Sequence, residues 1–500
     1  MTAATKVSKG AAWMILFKGV ERSLSLVSVV VLARLLVPAD FGLVAMAVSV
    51  IALVEIVSTF NFELAIIQRS NPTREYYDSA WTMNILAGTG GALLTAAAAW
   101  PASVFYSEPR LIGVMLILAG AWFIQGFENI GTVNFRREMN FSREFHFLFA
   151  KKLSGFIVTL ALAFALRSYW ALLLGTLFGR VFGVALSYAL QPFRPRLSLE
   201  KRRDLMSFSG WIMANGLLYF LTTRLSHLVI GRLHGAGGLG LYTVASELAN
   251  APSTELVAPI NRAVFPAFAR MAEGSGRLKE GLVQTLAVLG LIALPACIGL
   301  AAVAEPLVHV VLGERWAGAT PVVTVLAFAG VTQVVTSTNY LAYLALAKTY
   351  IPPIIGVIQT LALIPLLFAL GGNGAVGVAQ AQLISSLIML VPSFYFMRRL
   401  LDIHASDLLR ALWRPTMACA GMWYAVTTMA EPVAALTGDG AIALQLLLLV
   451  LVGVVSYVAF VALLWLLSGR PGGAELYILD MLRRVAGKLP LLPAQAAQRK

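Results

Sequence analysis

The chain has 500 residues, of which 59% are hydrophobic and only 12% charged, with a mean hydropathy of +0.80. Soluble domains run at roughly 45–50% apolar and about 25% charged, and an ordinary aqueous core does not hide such an excess. Lipid is therefore the solvent. The net charge of +14 would point to nucleic acid in a soluble protein, but in a membrane protein the positive-inside rule accounts for it and no nucleic-acid partner is expected.

In chain order, apolar runs predict about fourteen spans of roughly 20 residues each. They lie at 10–33, 42–67, 80–104, 111–134, 148–166, 169–191, 207–231, 240–266, 282–304, 317–347, 350–370, 375–397, 412–430 and 441–467. Runs such as Ala441–Leu467 do not alternate as barrel strands do, so the expected fold class is an all-α integral membrane protein. With the N-terminus inside, the basic residues collect on one side, and only Arg34, Arg110, Arg167, Arg232 and Arg315 fall on the other. Both termini are predicted cytoplasmic on that count. Cys297 and Cys419 lie far apart in apolar runs, and neither a disulfide framework nor a metal site is indicated.

The first span carries Lys18, Glu21 and Arg22 in its middle, with the two cations four residues apart and so on one helix face. Each such charge costs about 2.5–3.5 kcal/mol at the bilayer centre on insertion scales, which normally reserves it for a bundle interior or a wet cavity. Arg180, Arg224 and Arg262 are the other cations within or at the ends of spans. A second polar set consists of Glu55, Thr59 and Glu63 at spacing four on the second span, Glu128 near the end of the fourth, and Glu247, Asn250 and Glu255 on the eighth. Buried carboxylates can carry a coupling ion and amides can bind sugar hydroxyls; the alternative for each is an interhelical hydrogen bond or a counter-ion for the cations. Pro252, Pro259 and Pro266 in the eighth span are expected to bend or weaken it. The tail after Ser468 sets Leu476, Leu479, Leu482 and Val485 beside Arg483, Arg484 and Lys488, the pattern of a short amphipathic helix on an anionic leaflet.

An offset of 198 residues places Trp13 on Trp211, Arg34 on Arg232, Leu35 on Leu233, Gly42 on Gly240 and Leu43 on Leu241. Spans one and two therefore repeat as spans seven and eight in the same orientation, as in transporters built from two halves. The expected organisation is an N-lobe of six spans over 1–205, a C-lobe of six over 206–400, two further spans over 401–469 and a basic tail over 470–500.

Three stretches carry a family likeness: Ala33-Arg-Leu-Leu-Val-Pro-Ala-Asp-Phe-Gly42, Ala65-Ile-Ile-Gln-Arg69 running into Tyr76–Asn84, and Asn134-Phe-Arg-Arg-Glu-Met-Asn-Phe141. With the span count and the repeat, the chain resembles the polysaccharide-repeat-unit flippases (Wzx-type, colanic-acid-exporter-like) of the multidrug/oligosaccharidyl-lipid/polysaccharide exporter superfamily. The resemblance implies a V-shaped, two-lobed transporter of the bacterial inner membrane. It would move an undecaprenyl-diphosphate-linked oligosaccharide to the periplasmic leaflet by alternating access, with basic cavity residues meeting the diphosphate. It further implies that the protein is not an enzyme, needs no cofactor beyond coupling to protons, sodium or the membrane potential, and works beside a polysaccharide polymerase and chain-length machinery. A lipid-II-type flippase or a multidrug exporter of the same superfamily is the nearest alternative, and a membrane glycosyltransferase a more distant one. The basic set speaks against cationic drugs as substrates.

Overall fold

A computed structural model describes residues 3–58, 62–69, 71–206, 210–274, 277–438 and 440–478. Apolar side chains in lipid leave the backbone only itself to hydrogen-bond, so the described residues form helices joined by short turns. In order they are α1 (Ala3–Leu35), α2 (Pro38–Ser58), α3 (Phe62–Gln68), α4 (Arg74–Tyr106), α5 (Leu111–Gln125), α6 (Val133–Arg137), α7 (Phe141–Leu166), α8 (Trp170–Leu190), α9 (Arg202–Met206) and α10 (Gly210–Gly274). There follow α11 (Leu278–Ala302), α12 (Ala304–Val311), α13 (Thr320–Ala345), α14 (Ile351–Leu370), α15 (Gly374–Leu401), α16 (Ala405–Thr437) and α17 (Ile442–Leu467). Among the described residues, eight helical stretches are long and apolar enough to cross a membrane by themselves, or nine with the bent pair at 111–137. α1, α10 and α16 fall outside that set, and all three carry internal charge.

One expectation, the straight fourth span, is corrected. Glu55 lies on α2 and Glu63 on α3, while Thr59 and the other residues joining the two helices lie outside the described residues. The fourth span bends by 66° between α5 and the 130–137 segment, which puts Glu128 in the break. Within α10 the residue with a non-helical backbone is Gly235, at φ 64° and ψ −166°, between the seventh and eighth spans, and Pro252, Pro259 and Pro266 all lie in the helical part that follows. A side chain at that φ would be strained, so glycine supplies the corner. The tail is helical over 474–478, while Leu479, Leu482, Arg483, Arg484, Val485 and Lys488 lie outside the described residues.

The chain divides into two compact units. The first comprises 1–245, 311–319 and 364–381; the second comprises 246–310, 320–363 and 382–500.

In the first unit, the repeat read from sequence becomes a contact. The turn between α1 and α2 and the Gly235 corner of α10 are equivalent elbows, and they cross at their glycines. A Cβ on Gly42 would lie 1.6 Å from the carbonyl oxygen of Ala236, and one on Gly240 would lie 1.8 Å from that of Pro38. Fully buried Trp316 closes the same corner, its indole N–H donating to the Ala33 carbonyl at 2.7 Å while Phe41 meets its ring edge-on. His234 Nε2 approaches the Gly371 carbonyl at 2.6 Å.

At the other end of this unit, Pro192 and Pro195 keep 191–199 out of a helix. Its backbone donors are met by side chains of α4: Arg196 N–H by Asp78 (2.9 Å), Ser198 N–H by Thr82 (2.9 Å), and Lys201 N–H just beyond by Ser79 (3.1 Å). Tyr77 donates to Asn134 (2.6 Å) and accepts from Arg137 (2.6 Å).

In the second unit, α10, α11, α13 and α16 share a core containing Val257, Leu289, Cys297, Val334 and Cys419; both thiols are free. The start of α16 is clasped to α11. Asp407 accepts from the His404 N–H at 3.0 Å and pairs with Lys279 at 2.9 Å, which holds its carboxyl below the usual aspartate range. A depressed folded-state pKa adds stability above the unfolded value of about 3.9, lost as pH falls through the lower folded one. Asp407→Asn should therefore lower the melting temperature at pH 7, with the difference from wild type closing only below about pH 4. Thermal melts across pH in detergent check this; a difference that does not change with pH would refute it.

Candidate functional site

Charge converges inside the first unit. Glu55 lies on α2, Arg180 on α8 and Arg224 on α10, and the Glu55 carboxylate is within electrostatic range of both guanidinium groups. Arg180 also senses Glu128, and Arg224 senses His227 one turn on. Three helices distant in sequence thus set two of the five nominated cations within electrostatic range of one carboxylate. Each has a low-dielectric reason to be there, since a lone charge at this depth is costly.

Lys18 and Arg22 stand on α1. Lys18 pairs with Glu21 at 2.8 Å, with 57% of its own side chain still exposed. Arg22 is half-buried. Glu21 faces a cavity of about 670 Å³ among α1, α2, α5, α7 and α8, together with Lys151, Lys152 and Arg180. Ser25, Ser28 and Thr159 place hydroxyls in the same lining.

Glu63 and Glu128 are held in ion pairs. Glu63 meets Arg136 at 3.2 Å, Arg136 meets buried Glu144 at 2.5 Å, and Glu128 meets Lys151 at 2.5 Å. These groups lie near one another at the end of the unit where α3, α6 and α7 begin. In the second unit, Glu247, Asn250, Glu255 and Arg262 all lie on the exposed surface of α10. The Asn250 carbonyl accepts from Ser253 and Thr254 at 3.0 and 2.9 Å.

Lys151 is the residue that sequence reasoning missed, because at the edge of a span it counts as a loop charge. The available signal was Gly175, Gly179 and Gly183 at spacing four, a small-residue face that lets α7 and α8 approach closely. A Cβ on Gly183 would lie 2.8 Å from the Lys151 stem, so the glycine makes room for the lysine to reach Glu128. About a fifth of each partner's side chain is exposed, and removing one partner strands the other. Lys151→Met should cost about 1–3 kcal/mol, while the double variant Lys151→Met/Glu128→Gln should recover most of it. Melting temperatures of the four proteins in one detergent measure the cycle.

Comparison with known proteins fits this arrangement. The family model described as polysaccharide biosynthesis protein matches residues 31–321. The chain belongs to that family. It is similar to the lipopolysaccharide biosynthesis protein WzxC of Escherichia coli K12, at 27% identity over 430 residues, covering 83% of this chain and 86% of the relative. It is also similar to the succinoglycan biosynthesis transport protein ExoT of Rhizobium meliloti, at 26% over 393 residues and 77% of each chain. The fold is that of the lipid II flippase MurJ, with a TM-score of 0.73 at 14% identity over 90% of this chain and 99% of that one. A multidrug-resistance MATE transporter follows at 0.51 and 14% identity, over 76% and 94%. The resemblance to polysaccharide flippases, read from three short stretches with the span count and the repeat, is borne out. In this member of the family those stretches are framework: they build the glycine elbow and the tethers of α4 to 191–201 and to Asn134 and Arg137, while Glu55, Arg180 and Arg224 lie outside them.

Proposed function

We propose that this protein flips an oligosaccharide repeat unit, linked through a diphosphate to a polyprenyl lipid, across the bacterial cytoplasmic membrane for surface polysaccharide synthesis. The observation that carries the reading is that Arg180 and Arg224 both lie near enough to Glu55 to act on it electrostatically, in a chain whose family and similar relatives belong to polysaccharide biosynthesis. A diphosphate cannot cross hydrocarbon unaccompanied, and arginine offers planar, bidentate donors to it.

In this reading Glu55 is the resident counter-ion, and the diphosphate takes its place between the two arginines. Lys18, freed from Glu21, and Arg22 extend the same anion path from α1. Glu247, Asn250, Glu255 and Arg262 offer the glycan an exposed polar surface on α10. Glu55, Glu63 and Glu128 are the carboxylates available to a coupling proton or sodium ion. The two repeat-related halves act as the lobes of an alternating-access cycle, with both termini cytoplasmic. The protein acts without covalent chemistry and hands its cargo to the polymerase and chain-length machinery.

The test is a translocation assay in vesicles holding the purified protein and one of three cargoes: a lipid-linked repeat unit, lipid II or a small cationic dye. Protein-dependent movement of the repeat unit supports the reading. Movement of lipid II alone, or of the dye alone, replaces it with the corresponding relative's activity.

A further inference from the structure

Where α11 and α16 begin in the second unit, the last described segment of the chain folds back over a cavity of about 530 Å³. Its rim is charged, with Lys279, Glu280, Arg410, Arg414 and Glu475 among its residues. Arg414 and Glu475 form an ion pair at 3.3 Å, with only 11% and 7% of their side chains exposed. The pair is not hydrogen-bonded to capacity. Arg414 Nε is turned to Glu475 Oε1, while Arg414 Nη1 and Glu475 Oε2 are buried and have no hydrogen-bond partner. Gly473 runs close above them, so that a Cβ there would lie 3.3 Å from Glu475 Oε2. Leaving both a buried donor and a buried acceptor unused is costly, and the cavity that both line is where their partner belongs.

The shape of the cavity says what kind of partner. It follows α11 inward from Lys279 through Val283 and Ala287 to Leu291, which at 1.5 Å per residue is roughly 18 Å. It passes from a charged rim to an apolar wall. Arg410, one turn before Arg414, adds a second guanidinium to the same face. On the neighbouring face of α16, Leu409, Trp413 and Met417 are exposed, the apolar and tryptophan surface expected at the headgroup level of a bilayer. A free phosphate would satisfy the arginines but not Glu475, and would leave the apolar wall uncovered.

We propose that this cavity binds a glycerophospholipid of the surrounding leaflet, independently of the transported cargo. Its phosphate sits on Arg410 and Arg414, an ammonium or hydroxyl of its headgroup donates to Glu475, and an acyl chain lies along Val283, Ala287 and Leu291. The headgroup therefore has to carry a donor as well as the phosphate, as phosphatidylethanolamine and phosphatidylglycerol do and phosphatidylcholine does not.

Native mass spectrometry of the detergent-purified full chain, titrated separately with those three lipids, polyprenyl phosphate and inorganic phosphate, is the test. The expected result is retention of phosphatidylethanolamine or phosphatidylglycerol at least fivefold above phosphatidylcholine, falling at least fivefold in R410Q and losing its headgroup preference in E475Q. Arg410 lies exposed at the rim, so R410Q reports binding even if an Arg414 variant fails to fold. Equal retention of all three phospholipids, retention of polyprenyl phosphate alone, binding of phosphate alone, or no change in R410Q would each overturn the proposal.

Discussion

Gly42→Ala should abolish or severely reduce polysaccharide export, with the protein still reaching the membrane. The added methyl would sit 1.6 Å from a backbone carbonyl, and backbone, unlike a side chain, has no rotamer by which to move aside. Restoring a normal carbon contact of about 3.5 Å requires the two elbows to part by roughly 2 Å. Overpacking of this kind costs about 1–3 kcal/mol or more. Trp316, which closes the same corner with its bond to Ala33, would lose its seat as the elbows separate. Gly240→Ala should behave alike, since its Cβ meets Pro38 at 1.8 Å. Gly113→Ala, on α5 with nothing within 4 Å of the added methyl, is the tolerated control. Surface polysaccharide and melting temperature at matched protein level measure the effect, and wild-type values for Gly42→Ala would remove the crossing from consideration.

The second large effect belongs to the arginines. Arg180→Gln and Arg224→Gln should each lower repeat-unit translocation about 10–100-fold, the worth of one charge-assisted hydrogen bond of about 1.5–3 kcal/mol. Lysine should rescue part of the loss, as a point charge without the bidentate fork. Glu55→Gln separates two roles for the carboxylate. As a counter-ion that yields to substrate, its removal should tighten binding of a diphosphate lipid while slowing release; as a purely structural partner, its removal should lower the melting temperature and leave binding unchanged. Because Glu55 is coupled to both arginines, the three effects will not add. Unchanged translocation in both arginine variants would end the diphosphate assignment.

Hydropathy made the helices legible because the solvent is lipid and each crossing has to be paid in consecutive apolar residues. The same property hid a break. The corner between Gln125 and Ile130 is too short to interrupt an apolar window, so hydropathy alone runs the fourth span straight past Glu128. The corner of α10 falls at Gly235, which adopts a positive φ there, between the seventh and eighth apolar runs. The cations at the site were legible from their cost, Arg224 most clearly, but their convergence was not: Arg224 acts electrostatically on Glu55 across well over a hundred residues of chain. The role of Asp78, Ser79 and Thr82 in tethering a non-helical segment was equally invisible, since it depends on a partner that has no periodicity of its own.

The first compact unit is discontinuous in sequence: it draws on 311–319 and 364–381 as well as on 1–245. During synthesis, the Ala33 carbonyl waits for Trp316 and His234 waits for Gly371. At about 5–20 residues per second, the ribosome takes on the order of ten seconds or more to travel from the end of the leading segment to the last of these pieces. For that interval the nascent elbows stand in the bilayer without their final neighbours. A chain severed after residue 245 should therefore be a substrate for membrane quality control rather than a stable half-transporter, and co-expressing the remainder should rescue it only if the two fragments meet before degradation does.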